Sequence, residues 1–199
     1  MEEFEVVYTD INIEDFEKKL ENIGAQKVDD IFYKIDVFDY PDYSLNSKGA
    51  WIRLRDDGKK VKLAYKERLG RGEGKNSNED LGMKEVEFAV NDFEKAKEFM
   101  LSIGFIEKHY QEKKRIRWKK GDVTFDIDIY PKLNPYVEIE SDSFEKVDEA
   151  ILELGLDINK KRIINNWEIY KENGIDILKY KKVAFDELVL KDNLIKDKN

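Results

Sequence analysis

Charged residues in this chain recur two apart and are sorted by sign, in stretches that read Glu3-x-Glu5, Arg53-x-Arg55, Lys62-x-x-x-Lys66, Glu85-x-Glu87, Lys113-x-Arg115-x-Arg117, Asp126-x-Asp128 and Glu138-x-Glu140. Successive side chains on a β-strand alternate sides, so a spacing of two puts both charges of a pair on one face. The residues between and beside them are mostly apolar or aromatic, which suits the other face to a core. If such strands close into a barrel with the charges inward, they enclose a polar tunnel lined by acids and bases. A tunnel of that kind suits a polyanion accompanied by a divalent metal.

A sheet with one face in water shows the same alternation and is the plainer reading of any single pair. Two features favour the lined tunnel. A solvated face gains from mixing signs, because unlike charges on neighbouring strand positions attract, yet each strand here carries one sign. The chain also strongly prefers lysine, yet four of its seven arginines fall in the two Arg-x-Arg pairs. The planar guanidinium fork binds phosphate oxygens in bidentate fashion, which an ammonium does not. The acidic pairs have their own logic, since Mg²⁺ and similar hard cations take carboxylate oxygens along with substrate phosphates and water.

Composition bounds the rest. With 199 residues, 41% of them hydrophobic, one domain with a sizeable core is expected over 1–182, followed by a peripheral tail over 183–199. A net charge of −8 argues against a general nucleic-acid surface, which needs a basic face. Without cysteine, thiolate metal sites, disulfides and cysteine catalysis are excluded. No stretch approaches the ~18 apolar residues of a membrane span, so a cytoplasmic protein without membrane partners is expected.

Three segments repeat one theme, a strand followed by an amphipathic helix that ends at glycine. In the first, Asn12 caps a helix whose Ile13, Phe16, Leu20 and Ile23 share a face before Gly24. In the second, Asn91 caps, and Phe93, Ala96, Met100 and Ile103 form the stripe before Gly104. In the third, Asp142 or Ser143 caps, and Phe144, Val147, Ile151 and Leu154 precede Gly155. Strand-like runs lie between, with hairpins at DDGK and KKGD. Residues 69–83 are glycine-rich and polar and read as a loop; a phosphate cradle is disfavoured because G-x-x-x-x-G-K-[ST] is absent. A strand or short helix is expected around Trp167 and Tyr170. His109, the only histidine, is expected at the surface or a strand edge. Phe32, Tyr33, Phe38, Tyr40 and Tyr43 are expected in core and rim positions rather than as a stacking wall.

The order of the motifs resembles the CYTH superfamily, the triphosphate tunnel enzymes that include class IV adenylate cyclases and thiamine-triphosphatase-like hydrolases. The resemblance runs over roughly residues 3–155. Its landmarks are Glu3-Phe4-Glu5, FDYPD at 38–42, AWIRLR at 50–55, LAYK at 63–66, KEVEF at 84–88, KKR at 113–115 with Asp128 following, and YPKLNPYVEIE at 130–140. It implies an α+β fold in which a closed eight-stranded antiparallel β-barrel forms a tunnel, with helices packed outside.

Carried over by position, the resemblance makes Glu3, Glu5, Glu138 and Glu140 the metal-ligand pool for Mg²⁺ or Mn²⁺. It makes Arg53, Arg55, Lys66, Lys113 and Arg115 the grip on phosphates, and Glu85, Glu87 and Asp128 the catalytic carboxylates that orient bases, water or a second metal. Lys62, Arg117 and Asp126 share the inward faces but match the family less clearly. The family's opening motif is E-x-E-x-K, whose third place here is Val7. Asn134 stands where a turn glycine is usual, and INNWEIY at 164–170 where a Ser-Tyr element is expected. The implied function is metal-dependent hydrolysis of inorganic tripolyphosphate or an organic triphosphate. The alternatives are an adenylate cyclase making cyclic AMP and pyrophosphate from ATP, and a triphosphate-binding protein catalytically weakened at Val7. The expected partner is a triphosphate-containing small molecule, with a homodimer the common assembly for proteins of this size.

Overall fold

A computed structural model describes residues 4–69 and 83–191, so Glu3, residues 70–82 of the expected loop and residues 192–199 lie outside the described residues. Strands are β1 (Phe4–Tyr8), β2 (Gln26–Asp39), β3 (Ala50–Asp56), β4 (Val61–Arg68), β5 (Met83–Val90), β6 (Ile106–Lys120), β7 (Val123–Ile129), β8 (Tyr136–Ser141), β9 (Tyr180–Val183) and β10 (Leu188–Leu190). Helices are α1 (Ile13–Asn22), α2 (Ser44–Ser47), α3 (Phe93–Ser102), α4 (Phe144–Glu153) and α5 (Asn166–Glu172). Antiparallel sheets with helices make this an α+β fold. No helix among the described residues is long and apolar enough to cross a membrane.

The chain divides into two compact units, one of residues 1–32 and 113–178, the other of residues 33–112 and 179–199. In the first, β1 pairs β8, β8 pairs β7 and β7 pairs the second half of β6, all antiparallel. Residues directly opposite on antiparallel strands share a face. Trp118, Phe125, Ile139 and Val6 therefore form one apolar row, and Ile116, Ile127, Val137 and Tyr8 the next. Phe16 and Leu20 of α1 and Val147, Ala150 and Ile151 of α4 close over these rows to make the unit's core. The helices lie where the sequence places them. Asn12 and Ser143 accept the capping bonds, and Gly24, Gly104 and Gly155 take positive φ as the residues that end the helices. The second cap is Asp92 rather than Asn91, one residue later, with its carboxylate accepting from Lys95 N.

In the other unit, β2, β3, β4 and β5 pair in order, antiparallel. One face carries Leu54, opposite Leu63 and then Phe88, and Phe93 and Met100 of α3 pack onto it. The expected tail contributes β10, which pairs β9; β9 in turn runs parallel to β6 at Tyr110 and Gln111. Val183 and Ala184 are buried. His109 is buried on β6 instead of lying at the surface, and burial, with Lys108 beside it, lowers its pKa to about 4. Among the expected core and rim aromatics, Phe38 and Tyr33 are buried, while Phe32, Tyr40 and Tyr43 reach solvent. Among the described residues the backbone pairings do not join the strands into a closed ring.

Candidate functional site

The alternation that sends apolar residues beneath the helices sends charges to the opposite face of each sheet. In the unit of residues 33–112 and 179–199, one row reads Val37, Arg53, Ala64, Glu87; the next reads Ile35, Arg55, Lys62, Ala89; the third reads Trp51, Lys66, Glu85. Lysines and arginines outnumber carboxylates across these rows. Glu87 accepts from Lys62 at 2.5 Å and Glu85 lies 3.2 Å from Lys66. The arginines are held more loosely, with Arg53 3.6 Å from both Glu85 and Glu87, and Arg55 3.7 Å from Glu87. Arg55 also sits over the Tyr33 ring, 5.3 Å from its centroid.

The Nε–H groups of Arg53 and Arg55 are buried without a hydrogen-bond partner among the described residues. A buried donor left unpaired is costly, more so on a cation. Burial and then the neighbouring Arg55 lower the pKa of Arg53, and burial and then Arg53 lower that of Lys66. The Glu87 carboxyl is also lowered, which here favours its charged form: burial pushes it up, but its bond to Lys62 and the nearby arginines outweigh this and hold it low. This face has surplus positive charge and unspent donors, the chemistry of an anion site.

The unit of residues 1–32 and 113–178 has the reverse balance. Its rows read Arg115, Asp128, Tyr136; then Arg117, Asp126, Glu138, Val7; then Lys119, Thr124, Glu140, Glu5. Carboxylates are in excess. Arg115 donates Nε to Asp128 Oδ1 at 2.6 Å, one terminal nitrogen to Asp126 at 2.6 Å, and the other to Asp128 Oδ2 at 2.5 Å and to Glu138. Arg117 forks onto Asp126 at 2.7 and 2.6 Å, and Lys113 lies 3.0 Å from Asp128. Burial raises Asp128, but Lys113 and Arg115 more than offset it and hold the carboxyl low. Glu138 goes the other way, pushed up by burial and by Asp128 against the pull of Arg115. Glu5 is also pushed upward, by the protein crowding it and by Glu140 and Asp128, although water reaches the side chain and screens the push.

Behind these charges lies an aromatic group that sequence reasoning did not single out as part of the site. Lys113 sits 5.3 Å from the Tyr130 ring centroid; Tyr130 stacks on Tyr136 at 5.8 Å and meets Tyr170 edge-on at 6.2 Å. Tyr170 is held by its hydroxyl, which donates to Pro131 O at 2.8 Å. It rides on α5, whose start is fixed by a capping box between Asn165 and Glu168. The Asn165-x-x-Glu168 spacing was the available signal. Val7, at 1% exposure, occupies its row as an apolar plug, and its backbone bridges Arg162 through bonds of 2.8 and 3.1 Å.

The expected site residues thus fall into two sets. Arg53, Arg55, Lys66, Glu85 and Glu87 come together on one sheet, joined by Lys62. Glu5, Lys113, Arg115, Asp128, Glu138 and Glu140 come together on the other, joined by Arg117 and Asp126. Among the described residues no three His, Asp or Glu side chains converge as a metal cage. The donor set still fits a hard divalent cation: carboxylate oxygens in excess, with burial raising Glu138, are the charge that such an ion would neutralise.

The family model described as the CYTH domain matches residues 1–166. Among proteins of curated function none matches the sequence. Solved structures do. A conserved hypothetical protein of Pyrococcus furiosus is 28% identical, with a TM-score of 0.64 over 84% of this chain and 99% of its own. A putative adenylate cyclase of Vibrio parahaemolyticus is 14% identical, with a TM-score of 0.66 over 85% of this chain and 97% of its own. A putative adenylyl cyclase of Hippeastrum, described as having a dominant triphosphatase activity, is 13% identical, with a TM-score of 0.57 over 87% of this chain and 96% of its own. The last two share the fold.

Proposed function

We propose, from the premise that the chain belongs to the CYTH domain family, that it is a metal-dependent phosphohydrolase acting on a linear triphosphate. Closure of the sheets into the family's tunnel is part of this proposal. The observation that carries it is the pair of buried, unpartnered Nε–H groups of Arg53 and Arg55 on a face with surplus positive charge. Phosphate oxygens would satisfy those donors and that charge together.

Arg53, Arg55 and Lys66 hold the phosphates in this reading, and Lys113 and Arg115 join them in the family's pattern. Glu85 and Glu87 fix the directions of Lys66, Lys62 and Arg53, so the cationic wall is set before the substrate arrives. With Asp128 they supply acceptors that orient an attacking water. Glu5, Glu138 and Glu140, with Glu3 by position, would hold Mg²⁺ or Mn²⁺. When bound, the ion neutralises charge on phosphoryl oxygens and polarises them. Phosphoryl transfer needs positioning and charge stabilisation more than covalent chemistry, so fixed side chains of these types suffice on the protein's part.

Incubation with tripolyphosphate, thiamine triphosphate and ATP, each with Mg²⁺ or Mn²⁺, tests the reading. Orthophosphate release from at least one of them is expected. Cyclic AMP with pyrophosphate and no orthophosphate would replace the hydrolase with a cyclase, and no turnover with any of the three would replace it with a binding protein.

A further inference from the structure

The outward face of the β2–β5 sheet, opposite its charged face, is covered unevenly by α3. The register puts Ile52, Tyr65 and Val86 in one outward row and Leu54, Leu63 and Phe88 in the next. Phe93 and Met100 of α3 pack with Phe38 of β2 and Leu54 of β3, on the side of the sheet away from β5. Lys97 fixes which flank of the helix looks which way, because its ammonium lies 3.1 Å from Asp36 of β2 and 2.7 Å from Glu107 of β6. Phe99 is two residues on, about 160° around the helix, so Phe99 and then Ile103 one turn later line the flank turned to β4 and β5. Val86 and Phe88, at the β5 end of the two rows, are each 56% exposed, and Phe99 and Ile103 are 60% and 52% exposed. A helix flank thus forms the wall, and a sheet the floor, of an apolar recess left open among the described residues.

We propose that this recess is the interface of a homodimer, in which the α3 helix of each copy lies against the β4–β5 floor of the other across a two-fold axis. Singly exposed apolar residues are ordinary, but four large ones side by side mark an interaction surface. At ~200 Å² for a whole aromatic side chain and somewhat less for the aliphatic ones, the four expose about 400 Å². That is about half of the ~800 Å² per partner that a stable interface takes, the share of an apolar centre inside a polar rim. The rim selects a second copy as the occupant. A patch that meets itself must carry both signs, since a rim of one sign repels its own image. The floor ends at Glu67 and Lys84, which stand opposite one another, and Phe105, just past α3, stacks on Tyr40 at 4.4 Å beyond that same end of the sheet. The helix therefore runs back along β5 and begins, with Asp92 and Lys95, at the far end of the recess. Two helices related by an axis across them are antiparallel, which brings Lys95 toward Glu67 and Asp92 toward Lys84 of the second copy. Alternation turns Glu85 and Glu87 to the other side of β5, so the dimer leaves the charged face clear and stands apart from the triphosphate reading.

Sedimentation velocity of the full chain tests this over about 1–100 μM, the range in which an interface of standard size holds its partners together. The unaltered protein should sediment as a dimer. Phe99→Glu should weaken association about 100-fold or more, because the two-fold axis places the buried charge in the interface twice. Ile103→Glu, on the same flank, should do the same and keeps the comparison open if the first variant fails to fold; both side chains are more than half exposed in a single copy, so far-UV circular dichroism should show the unaltered fold. Leu152→Glu, at an equally exposed apolar residue of α4 outside the recess, should change association less than about 2-fold. An unaltered protein that stays monomeric throughout the range overturns the proposal. So does a dimer that Phe99→Glu and Ile103→Glu leave intact, or one that Leu152→Glu disrupts as strongly as they do.

Discussion

Arg53-x-Arg55 and Arg115-x-Arg117 have the same spacing, and each places its guanidinium groups on the charged face of a sheet, so their different states come from what stands opposite. Across from Arg53 is Ala64 and then Glu87; across from Arg115 is Asp128 itself. A small residue opposite an arginine leaves its donors for a ligand, and an aspartate absorbs them. Val7 belongs to the same logic. It stands opposite Glu138 and two residues from Glu5 on a face with surplus carboxylates, at 1% exposure, where a lysine would be matched in charge. Val7→Lys should raise turnover of the preferred triphosphate about 10-fold, the scale of one added charge-assisted contact made in the transition state, with KM changed less than about 3-fold. Steady-state kinetics on both proteins checks this, and an unchanged kcat would show that residue 7 does not limit the reaction.

At the scale of elements, α3 docks on its sheet through an ion pair as well as through Phe93 and Met100. Asp36 of β2 is fully buried opposite Leu54, and Lys97 of α3 reaches to 3.1 Å from it while also holding Glu107 of β6 at 2.7 Å. Among the described residues, neither Asp36 oxygen has a hydrogen bond of good geometry. Burial, then Glu107, raises the Asp36 pKa to about 7 against the pull of Lys97. Lys97 itself is pushed down by burial, yet its bonds to Glu107 and Asp36 outweigh this and hold it high. The ammonium is thus well served with Glu107 as a second partner, while the Asp36 carboxylate is not. A raised carboxyl pKa means that the folded state keeps a proton that the unfolded state has already lost, so stability falls as pH rises from about 4 to about 7. Asp36→Asn should flatten that slope and add about 1–3 kcal/mol at pH 8 relative to the unaltered protein, a fraction of the ceiling set by 1.36 kcal/mol per pKa unit. Urea unfolding at pH 5 and pH 8 measures both; a variant less stable at pH 8 would show that the ion pair is a net gain.

The elements also show what was legible in the sequence. Periods of two and 3.6, caps and terminal glycines suffice for the strands, the three long helices and the membership of both charged faces, because those depend on local geometry. The cap of α3 falls at Asp92, one residue past the expected Asn91, because both are good acceptors and only the chain path decides between them. What stayed hidden depends on distant partners. The saturation of Arg115, the aromatic group behind Lys113 and the pairing of β9 with β6 each join residues far apart in the chain, and burial of His109 on β6 carries no periodic signal.

For the whole molecule, a net charge of −8 sets the general field against anions, so triphosphate binding must be won locally by the cations of one face. That makes ligand-induced stabilisation a sharp test, because nothing in the average composition favours it. A ligand that binds only the folded state at 100 times its Kd adds about 2.7 kcal/mol, which for a chain of this size corresponds to about 5–10 °C in Tm. Tripolyphosphate in metal-free buffer should produce a shift of that order. Orthophosphate at the same concentration offers a single phosphoryl group to a row of cations and should move Tm by no more than about 2 °C, the scale of general salt exclusion. Arg53→Met should lose most of the tripolyphosphate shift while keeping the small orthophosphate one, since the first depends on a built contact and the second does not. Differential scanning calorimetry of both proteins with both anions separates these effects. Equal shifts from the two anions would mean that the cationic face is an ordinary solvated surface.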